Sequence, residues 1–404
     1  MKDFSYTAKD SETGKIIKGI IQADDQPSAA AVLTEKGLFP IDITSKEAGG
    51  LSFSSIPFLN RISTKDKILF TRQLATLVKA GLPITQALNT AVDQVSSKKF
   101  KEILLKIKAS VEGGSSLSKA FGAYPQVFNN VYVSMVAAGE TSGKLEEALL
   151  RLADQLEKEA EIRSKIRGAM VYPAIVLVVI IGVLAFMLGA VLPQITALYK
   201  DFNKALPVFT VVLQAVTTSL FKFWYIYLII LIAAVAGIRA YSKTPNGRKT
   251  IDNLKIKAPP FNKLMQKLYM ARFCRTLSSL INSGIPILEA LRLSGDAVNN
   301  LIIKESILAV AQEVKSGKAL SAMLAKDTNF LPLVHQMIKV GEDSGELGDM
   351  LDKVATYYEN EVDQIVKNLS TLIEPVLIIV LGVLVGFIIL GVLFPVYNLV
   401  GTGV

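Results

Sequence analysis

The chain has 404 residues, of which 51% are hydrophobic and 20% are charged, and its mean hydropathy is +0.41. A purely soluble protein is usually more polar and one that lies entirely in a bilayer carries fewer charges, so this balance favours a mixed chain. The chain has one cysteine and one histidine, which excludes an internal disulfide and a paired-histidine metal site. Its net charge is +9, but it has no basic tract with interleaved aromatic residues, which disfavours nucleic-acid binding.

The N-terminal segment, residues 1–45, is predicted to form a small α+β cap. Two strand patterns, FSYTAKD and KGIIQAD, precede a helix pattern between Asp25 and Gly37 with Pro27 near its start, and the strand pattern FPIDITS follows. The Gly/Ser-rich stretch 46–62 is typical of a linker. Because the N-terminus lacks the apolar core of a signal peptide, we expect it in the cytosol.

The chain then contains an internal repeat. FTRQLATLVKAGLPITQAL at 70–88 and FCRTLSSLINSGIPILEAL at 273–291 are identical at nine of 19 positions. GETSGKL at 139–145 and GEDSGEL at 341–347 follow at nearly the same spacing. A repeat of this length indicates a duplicated structural unit.

Each unit is predicted to be a cytoplasmic helical bundle, covering 63–168 in the first copy and 265–370 in the second. Apolar residues recur at i, i+3, i+4 and i+7, as they do on one face of a helix. Glycines suit the C-terminal cap of the first helix and prolines suit the first turn of the next. These residues are Gly81 and Pro83 in the first copy and Gly284 and Pro286 in the second.

The GExSG motif is expected to separate two further helices. Gly139 suits the C-terminal cap of one helix, and Thr141 or Ser142 suits the N-cap of the next. Glu140 is not needed for such caps, so we hypothesise that it pairs with Arg72. Docking of a partner on this loop is the alternative. The same positions in the second copy are Gly341, Glu342, Asp343, Ser344 and Arg275, and the motifs end in Gly143 and Gly345.

Three apolar segments are predicted to cross a bilayer. Residues 169–195 and 371–397 lie in uncharged runs longer than the roughly 20 residues that a span needs. A weaker span at 220–239 begins with interfacial aromatics. Its start is open, because the preceding short loop or amphipathic segment, 196–219, is largely apolar too. The remaining segments are a connector at 240–264 and a tail at 398–404.

Prolines and glycines recur within the long apolar runs. A proline kinks a helix and frees backbone carbonyls, so these residues either shape a groove for another membrane helix or help the spans to pack. Glycine allows helices to approach closely. The prolines are Pro173, Pro193, Pro375 and Pro395, and the glycines are Gly182, Gly189, Gly382, Gly386 and Gly391.

The distribution of cations predicts the topology. Lysines and arginines cluster before the first span and after the second, whereas only three lysines lie between those spans. The positive-inside rule therefore places the N-terminus and both bundles in the cytoplasm and the C-terminus in the periplasm. Uncharged span centres disfavour the alternative function of a membrane transporter or channel component.

No enzymatic site is predicted. The sequence has no P-loop, and His335 and Cys274 both lie in apolar helical patterns typical of core positions. We therefore expect no catalytic residue, no cofactor and no metal.

Taken together, these features resemble the type II secretion F-protein and type IV pilus platform protein family (GspF/PilC-like). The resemblance is carried by the two FxRxLxxLxxxGxPIxxAL repeats, the two GExSGxL motifs, the matching spans and the segment YTAKDSETGKIIKGIIQADDQPSAAAVLTEKGLFPI. The expected fold is mainly α, a three-span inner-membrane protein with two duplicated cytoplasmic helical bundles and a small N-terminal α+β cap.

The resemblance implies a non-enzymatic platform in a bacterial inner membrane. In such machines a cytoplasmic hexameric ATPase docks on the platform and drives pilin-like subunits into or out of the membrane. The implied partners are this ATPase, pilin or pseudopilin transmembrane helices, other inner-membrane assembly proteins, membrane lipid and a second copy of the chain, but no nucleic acid. The resemblance does not distinguish a pilus from a secretion machine, or extension from retraction.

Overall fold

The computed structural model describes residues 2–10, 16–46, 62–201, 206–259, 262–393 and 397. Over these residues the chain is mainly helical, as predicted. Its contacts divide it into two units, Met1–Arg61 and Ile62–Val404, which are described separately.

The first unit contains an antiparallel three-stranded sheet with one helix, which confirms the α+β cap. The strands have the order β2-β1-β3, and α1 begins after Asp25, whose side chain accepts a hydrogen bond from the Ser28 N–H at 2.8 Å. The elements are β1 (Lys2–Asp10), β2 (Ile16–Ala23), α1 (Gln26–Glu35) and β3 (Leu38–Lys46). The small core contains Ala23, Ala29 and Leu33. Most of the predicted linker lies outside the described residues.

The first helical bundle consists of five helices and the start of a sixth. These are α2 (Thr64–Lys79), α3 (Ile84–Asp93), α4 (Lys98–Glu112), α5 (Leu117–Gly122), α6 (Asn130–Ser142) and α7 (Leu145–Phe186). Its core is rich in aromatic rings, and they are Phe70, Phe100, Phe121, Phe128 and Tyr132. With 42 residues, α7 continues from the bundle into the first apolar run without a break.

The middle of the chain is helical, and α9 and α10 are its most apolar helices. A π-helical turn (Met187–Val191) leads into α8 (Leu192–Asp201), followed by α9 (Val208–Lys222), α10 (Trp224–Lys243) and α11 (Pro245–Lys257). The predicted loop or amphipathic segment at 196–219 therefore contains part of an apolar helix, α9.

The second bundle repeats the first, helix by helix. Its helices are α12 (Asn262–Asn282), α13 (Ile287–Val298), α14 (Leu301–Lys315), α15 (Leu320–Leu324), α16 (Pro332–Ser344) and α17 (Leu347–Ile388), and a π-helical turn (Ile389–Leu393) follows. Thus α12 to α17 correspond to α2 to α7, and even the π-helical turn recurs. The duplication seen in the sequence is a duplication of the fold.

Three helical stretches are long and apolar enough to cross a membrane. They are Leu145–Asp201, Trp224–Lys243 and Leu347–Gly391. The prediction of three spans is confirmed, and two of them are the continuations of helices that begin inside the bundles.

The predicted turn after the first helix of each bundle is present. Gly81 and Gly284 adopt φ of +83° and +82°, the left-handed conformation that a side chain disfavours. Pro83 and Pro286 then occupy the N-cap positions, one residue before α3 and α13.

Candidate functional site

The two glycines of each GExSG motif have different surroundings. Gly139 lies buried inside α6, and a Cβ there would be 2.7 Å from the Ala148 Cβ of α7. The predicted C-cap at Gly139 is therefore wrong. The left-handed cap is Gly143, with φ of +71°. The second bundle repeats this arrangement with a buried Gly341 and a left-handed Gly345.

The predicted serine and threonine N-caps are also wrong. Ser142 is the last residue of α6, and its hydroxyl donates to the Ala138 carbonyl at 2.8 Å. The N-cap of α7 is Lys144, which makes no capping hydrogen bond with its side chain. In the second bundle, Ser344 likewise ends α16 and Glu346 precedes α17.

The motif glutamate caps a short helix elsewhere in its own bundle. The Glu140 carboxylate accepts hydrogen bonds from the backbone N–H groups of Leu117 and Ser118, at 2.5 and 3.0 Å. These N–H groups open α5 and have no partner within that helix. The hypothesis that Glu140 pairs with Arg72 is thus wrong. Glu342 repeats the cap on Leu320 and Ser321, at 2.7 and 3.2 Å, so its pairing with Arg275 is wrong as well.

The repeated arginine instead joins the first helix of its bundle to the helix that enters the membrane. Arg72 holds both oxygens of Glu157 at 2.9 and 2.7 Å and also binds Asp154. These hydrogen bonds hold the pKa of the Glu157 carboxyl below its usual value. Bidentate geometry fixes the orientation of the two helices as well as their distance.

The second bundle contains the same clamp in a less exposed position. Arg275 holds Glu359 at 2.8 and 2.7 Å and adds contacts to Thr356 and Asp352. The side chain of Arg275 is 16% exposed, whereas that of Arg72 is 31% exposed. The sequence analysis missed both glutamates, although Glu157 and Glu359 are repeated at the spacing of the GExSG motifs.

Lys67 in α2 is a partly buried cation that the sequence analysis also missed. Its ammonium donates to the Val127 carbonyl at 2.9 Å and lies 5.0 Å from the ring centre of Tyr132. Burial lowers the pKa of Lys67 to about 8, and the charge of Glu159 partly opposes this change. A cavity of about 240 Å³ adjoins the side chain. The equivalent residue in the second bundle is Met270.

The two bundles are in direct contact. Gln155 of α7 donates to the Thr276 hydroxyl of α12 at 3.1 Å, and Lys165 of α7 pairs with Asp363 of α17. Helices α7, α12 and α17 also share an apolar cluster. Its members include Ile162, Ile166, Leu264, Leu268, Val362 and Val366.

Within the membrane part, α9 packs against both π-helical turns. A Cβ at Gly189 would be 3.0 Å from Phe221, and a Cβ at Gly391 would be 2.5 Å from Leu213. The two glycines occupy equivalent positions in the two turns. Their lack of a side chain lets one helix lie against both long spans, as expected for close helix packing.

A proline explains the first of these turns. Pro193 has no N–H to donate to the carbonyl four residues earlier, and the helix widens just before it into the π-helical turn. Pro173 and Pro375 lie inside α7 and α17. Pro395 lies outside the described residues.

The chemistry available at these positions is structural. Within the described ranges, no three His, Cys, Asp or Glu side chains are grouped as metal ligands. Cys274 is fully buried, and burial raises the pKa of its thiol. The repeated residues instead hold helices together, both within each bundle and beside the span that follows it.

Comparisons with known proteins agree with this architecture. Two stretches, 70–193 and 273–395, match the family model described as type II secretion system (T2SS), protein F, and residues 1–44 match the model of its N-terminal domain. The duplicated match coincides with the two bundles and their spans.

Several curated relatives are similar over the whole chain. The type IV pilus assembly protein PilC of Thermus thermophilus is 40% identical, over 100% of this chain and 99% of the relative. PilC of Myxococcus xanthus is 36% identical, over 98% and 95%. The type II secretion system protein F of Vibrio cholerae is 35% identical, over 99% and 98%. The chain therefore belongs to the type II secretion system protein F family, which includes the type IV pilus proteins named PilC.

Proposed function

We propose that this chain is the inner-membrane platform of a type IV pilus or type II secretion machine. In this role it couples a cytoplasmic hexameric assembly ATPase to the insertion or extraction of pilin-like subunits. Its further partners are other inner-membrane assembly proteins, membrane lipid and a second copy of the chain. The names of its relatives support the assembly role, and they do not separate the two machines.

The observation that carries the proposal is the continuity of α7 and α17. Each 42-residue helix begins in a bundle and ends in an apolar span, with no break between them. An arginine clamp fixes each helix to the first helix of its bundle. A force applied to a bundle is therefore passed along one continuous helix, which we call the rod, into the membrane, and this suits a transducer.

The proposed orientation has both bundles in the cytoplasm and the C-terminus in the periplasm. Arg163, Lys165 and Arg167 precede the first apolar run, and Arg239 and Lys243 lie at the end of the second span. This distribution supports the orientation through the positive-inside rule. Since each bundle precedes its span in the chain and α10 returns between them, both bundles lie on one side.

In this proposal the chain is not itself an enzyme. The sequence has no P-loop to cradle a nucleotide, so the energy comes from the partner ATPase. The chain contributes rigidity and contacts.

The partners are tested by purification of the tagged full-length chain from native membranes in mild detergent, followed by mass spectrometry. We expect a hexameric secretion ATPase and a pilin-like protein to accompany the chain. The identity of the pilin then tells a pilus from a secretion machine. Recovery of the chain alone, under conditions that preserve other membrane complexes, contradicts the proposal and makes a liposome transport assay the next step.

The rod itself is tested by insertion of Gly-Gly-Ser after Gly168, where α7 approaches its apolar run. We expect the ATPase to co-purify as before, while filament assembly or secretion is lost. The same insertion after Gly50, in the Gly/Ser-rich stretch, is the matched control and should leave assembly intact. Normal assembly with the α7 insertion, at equal membrane levels, would show that α7 does not transmit force.

A further inference from the structure

Helix α4 differs from its counterpart α14 mainly on its surface. Both helices have 15 residues and bury equivalent apolar positions. α4 carries five lysines and two glutamates, whereas α14 carries two of each. Lys106 and Lys108 correspond to Ala309 and Ala311. The second bundle folds without these lysines, so the fold does not require them.

The start of α4 is also open where the start of α14 is covered. In the second bundle α11 lies against this end, and Asp252 of α11 accepts a hydrogen bond from the Leu301 N–H at 3.0 Å. In the first bundle, Lys98 and Lys99 occupy the equivalent positions, and no element that the structure describes covers them.

Three of the α4 lysines are available to a partner. Lys101 is held by Asp93 at 3.5 Å and Lys108 by Glu112 at 3.7 Å. Among the described residues, Lys98, Lys99 and Lys106 form no ion pair. We call these three residues the α4 lysine face.

Membrane lipid is a poor partner for this face. Phe100 of α4 packs edge-to-face against Phe70 of α2 with ring centres 5.7 Å apart, and α2 is clamped through Arg72 to Glu157 of α7. Gly168 lies 11 residues further along α7, or about 16 Å at a rise of about 1.5 Å per residue. That distance exceeds the screening length of about 8 Å at physiological salt.

The chain itself presents an acidic counterpart on the second bundle. Asp343, Glu346 and Asp349 lie exposed at the turn between α16 and α17 and form no ion pair within the described ranges. We call them the acidic turn. The equivalent turn of the first bundle is Thr141, Lys144 and Glu147, of which Lys144 and Glu147 line a cavity against the α12–α13 turn of the second bundle. In this turn Lys144 pairs with Glu147 at 3.9 Å, whereas the acidic turn holds three carboxylates and no cation.

We propose that the α4 lysine face of one chain binds the acidic turn of a second copy. The charges are complementary, both surfaces are exposed, and neither charge pattern is needed by the fold, since each sister bundle lacks it. This inference specifies the self-association included in the proposed function, and it requires neither the ATPase nor a pilin.

The experiment measures energy transfer between donor- and acceptor-labelled full-length chains in liposomes of neutral lipid, over a range of protein-to-lipid ratios. The variants K99E/K106E and D343K/E346K should each weaken self-association about tenfold or more, because each opposes like charges. Raising the salt concentration should weaken the wild-type association as well.

The decisive measurement uses a mixture of the two variants. K99E/K106E chains have two acidic surfaces and D343K/E346K chains have two basic ones, so mixed pairs should recover association close to wild type. Recovery also shows that both variants are folded. The matched control is K315E/K326E, which reverses two exposed lysines of the second bundle and should leave association unchanged.

Two results would overturn the proposal. One is self-association that neither double variant weakens. The other is weakening without recovery in the mixture. If K99E/K106E instead loses the ATPase from the co-purification while self-association is intact, the face belongs to the ATPase and the proposal is wrong, although the platform function stands.

Discussion

At the residue scale, Lys67 and Met270 occupy the same place in the two bundles. The thioether of a methionine fills a core without a charge, whereas the Lys67 ammonium is surrounded by two aromatic rings and one carbonyl oxygen. A single hydrogen bond and the ring faces do not replace full hydration, which is why burial lowers the pKa of Lys67 to about 8. The first bundle therefore carries a destabilising charge that its sister lacks.

We predict that Lys67→Met stabilises the protein at pH 7. Because the pKa of Lys67 is about 8 in the folded chain and 10.5 ordinarily, the unfolded chain binds more protons between these values. The free energy of unfolding of the wild type should therefore rise from about pH 8 to about pH 10.5, by at most about 3 kcal/mol. The difference in the free energy of unfolding between Lys67→Met and the wild type should shrink over the same pH range. Unfolding followed by circular dichroism in detergent measures this difference.

The control for this prediction is Lys99→Met, an exposed lysine of the same bundle. This variant should not be more stable than the wild type at pH 7, because Lys99 is exposed. A stability difference for Lys67→Met that stays constant between pH 8 and pH 10 would mean that the charge of Lys67 is not what destabilises the wild type.

The GExSG motif shows which residue roles the sequence could reveal. A glycine next to a helix end correctly predicts a cap. The motif contains two glycines, however, and its local sequence does not show which of them is the cap. Gly139 is required by the crossing of α6 and α7, whose closeness depends on tertiary packing. The cap that Glu140 provides for Leu117 joins residues 23 positions apart. Such long-range partners leave no local pattern, and the hypothesis that the motif glutamate pairs with the repeated arginine was wrong.

At the element scale, the helical nature of the two bundles was predictable because their helices bury periodic apolar faces. Helix α9 was not recognised, since its sequence is apolar without being long enough to span a bilayer alone. Its position depends on two glycines in the π-helical turns, Gly189 and Gly391. The sequence analysis identified both as close-packing residues but had no means to name the helix that fills them.

We predict that Gly391→Ile displaces α9. The first carbon of the new side chain would meet Leu213 at 2.5 Å, and a β-branched residue adds further bulk there. In a Cys274→Ser background, cysteines at Phe209 and Phe387, whose rings are 5.1 Å apart, should react efficiently with a short bifunctional thiol reagent. Gly391→Ile should lower the yield of this cross-link several-fold.

Gly382→Ile is the matched control, because nothing lies within 4 Å of a Cβ at Gly382. The Gly382→Ile variant should give the same cross-link yield as the double-cysteine protein without it. Equal yields for the two isoleucine variants would mean that α9 is not held by the π-helical turn.

At the scale of the whole molecule, the duplication produces two similar bundles that contact each other through different surfaces. The first bundle contributes α6 and α7, and the second contributes α12, α13 and α17. The sequence could predict two bundles from the repeat, but not this contact, because the apolar residues that form it follow the ordinary helical period. The contact joins α7 and α17, the two helices that continue from the bundles into the apolar spans.

We predict that Leu268→Ala loosens both bundles. Leu268 is 5% exposed and lies in the apolar cluster formed by α7, α12 and α17, so its truncation should cost about 2–3 kcal/mol. Amide hydrogen exchange of the full chain in detergent should accelerate in the cytoplasmic parts of all three helices. Leu254→Ala, at a position 63% exposed, should change nothing measurable. Faster exchange confined to α12 would mean that the bundles are mechanically independent, and force on one would not reach the other.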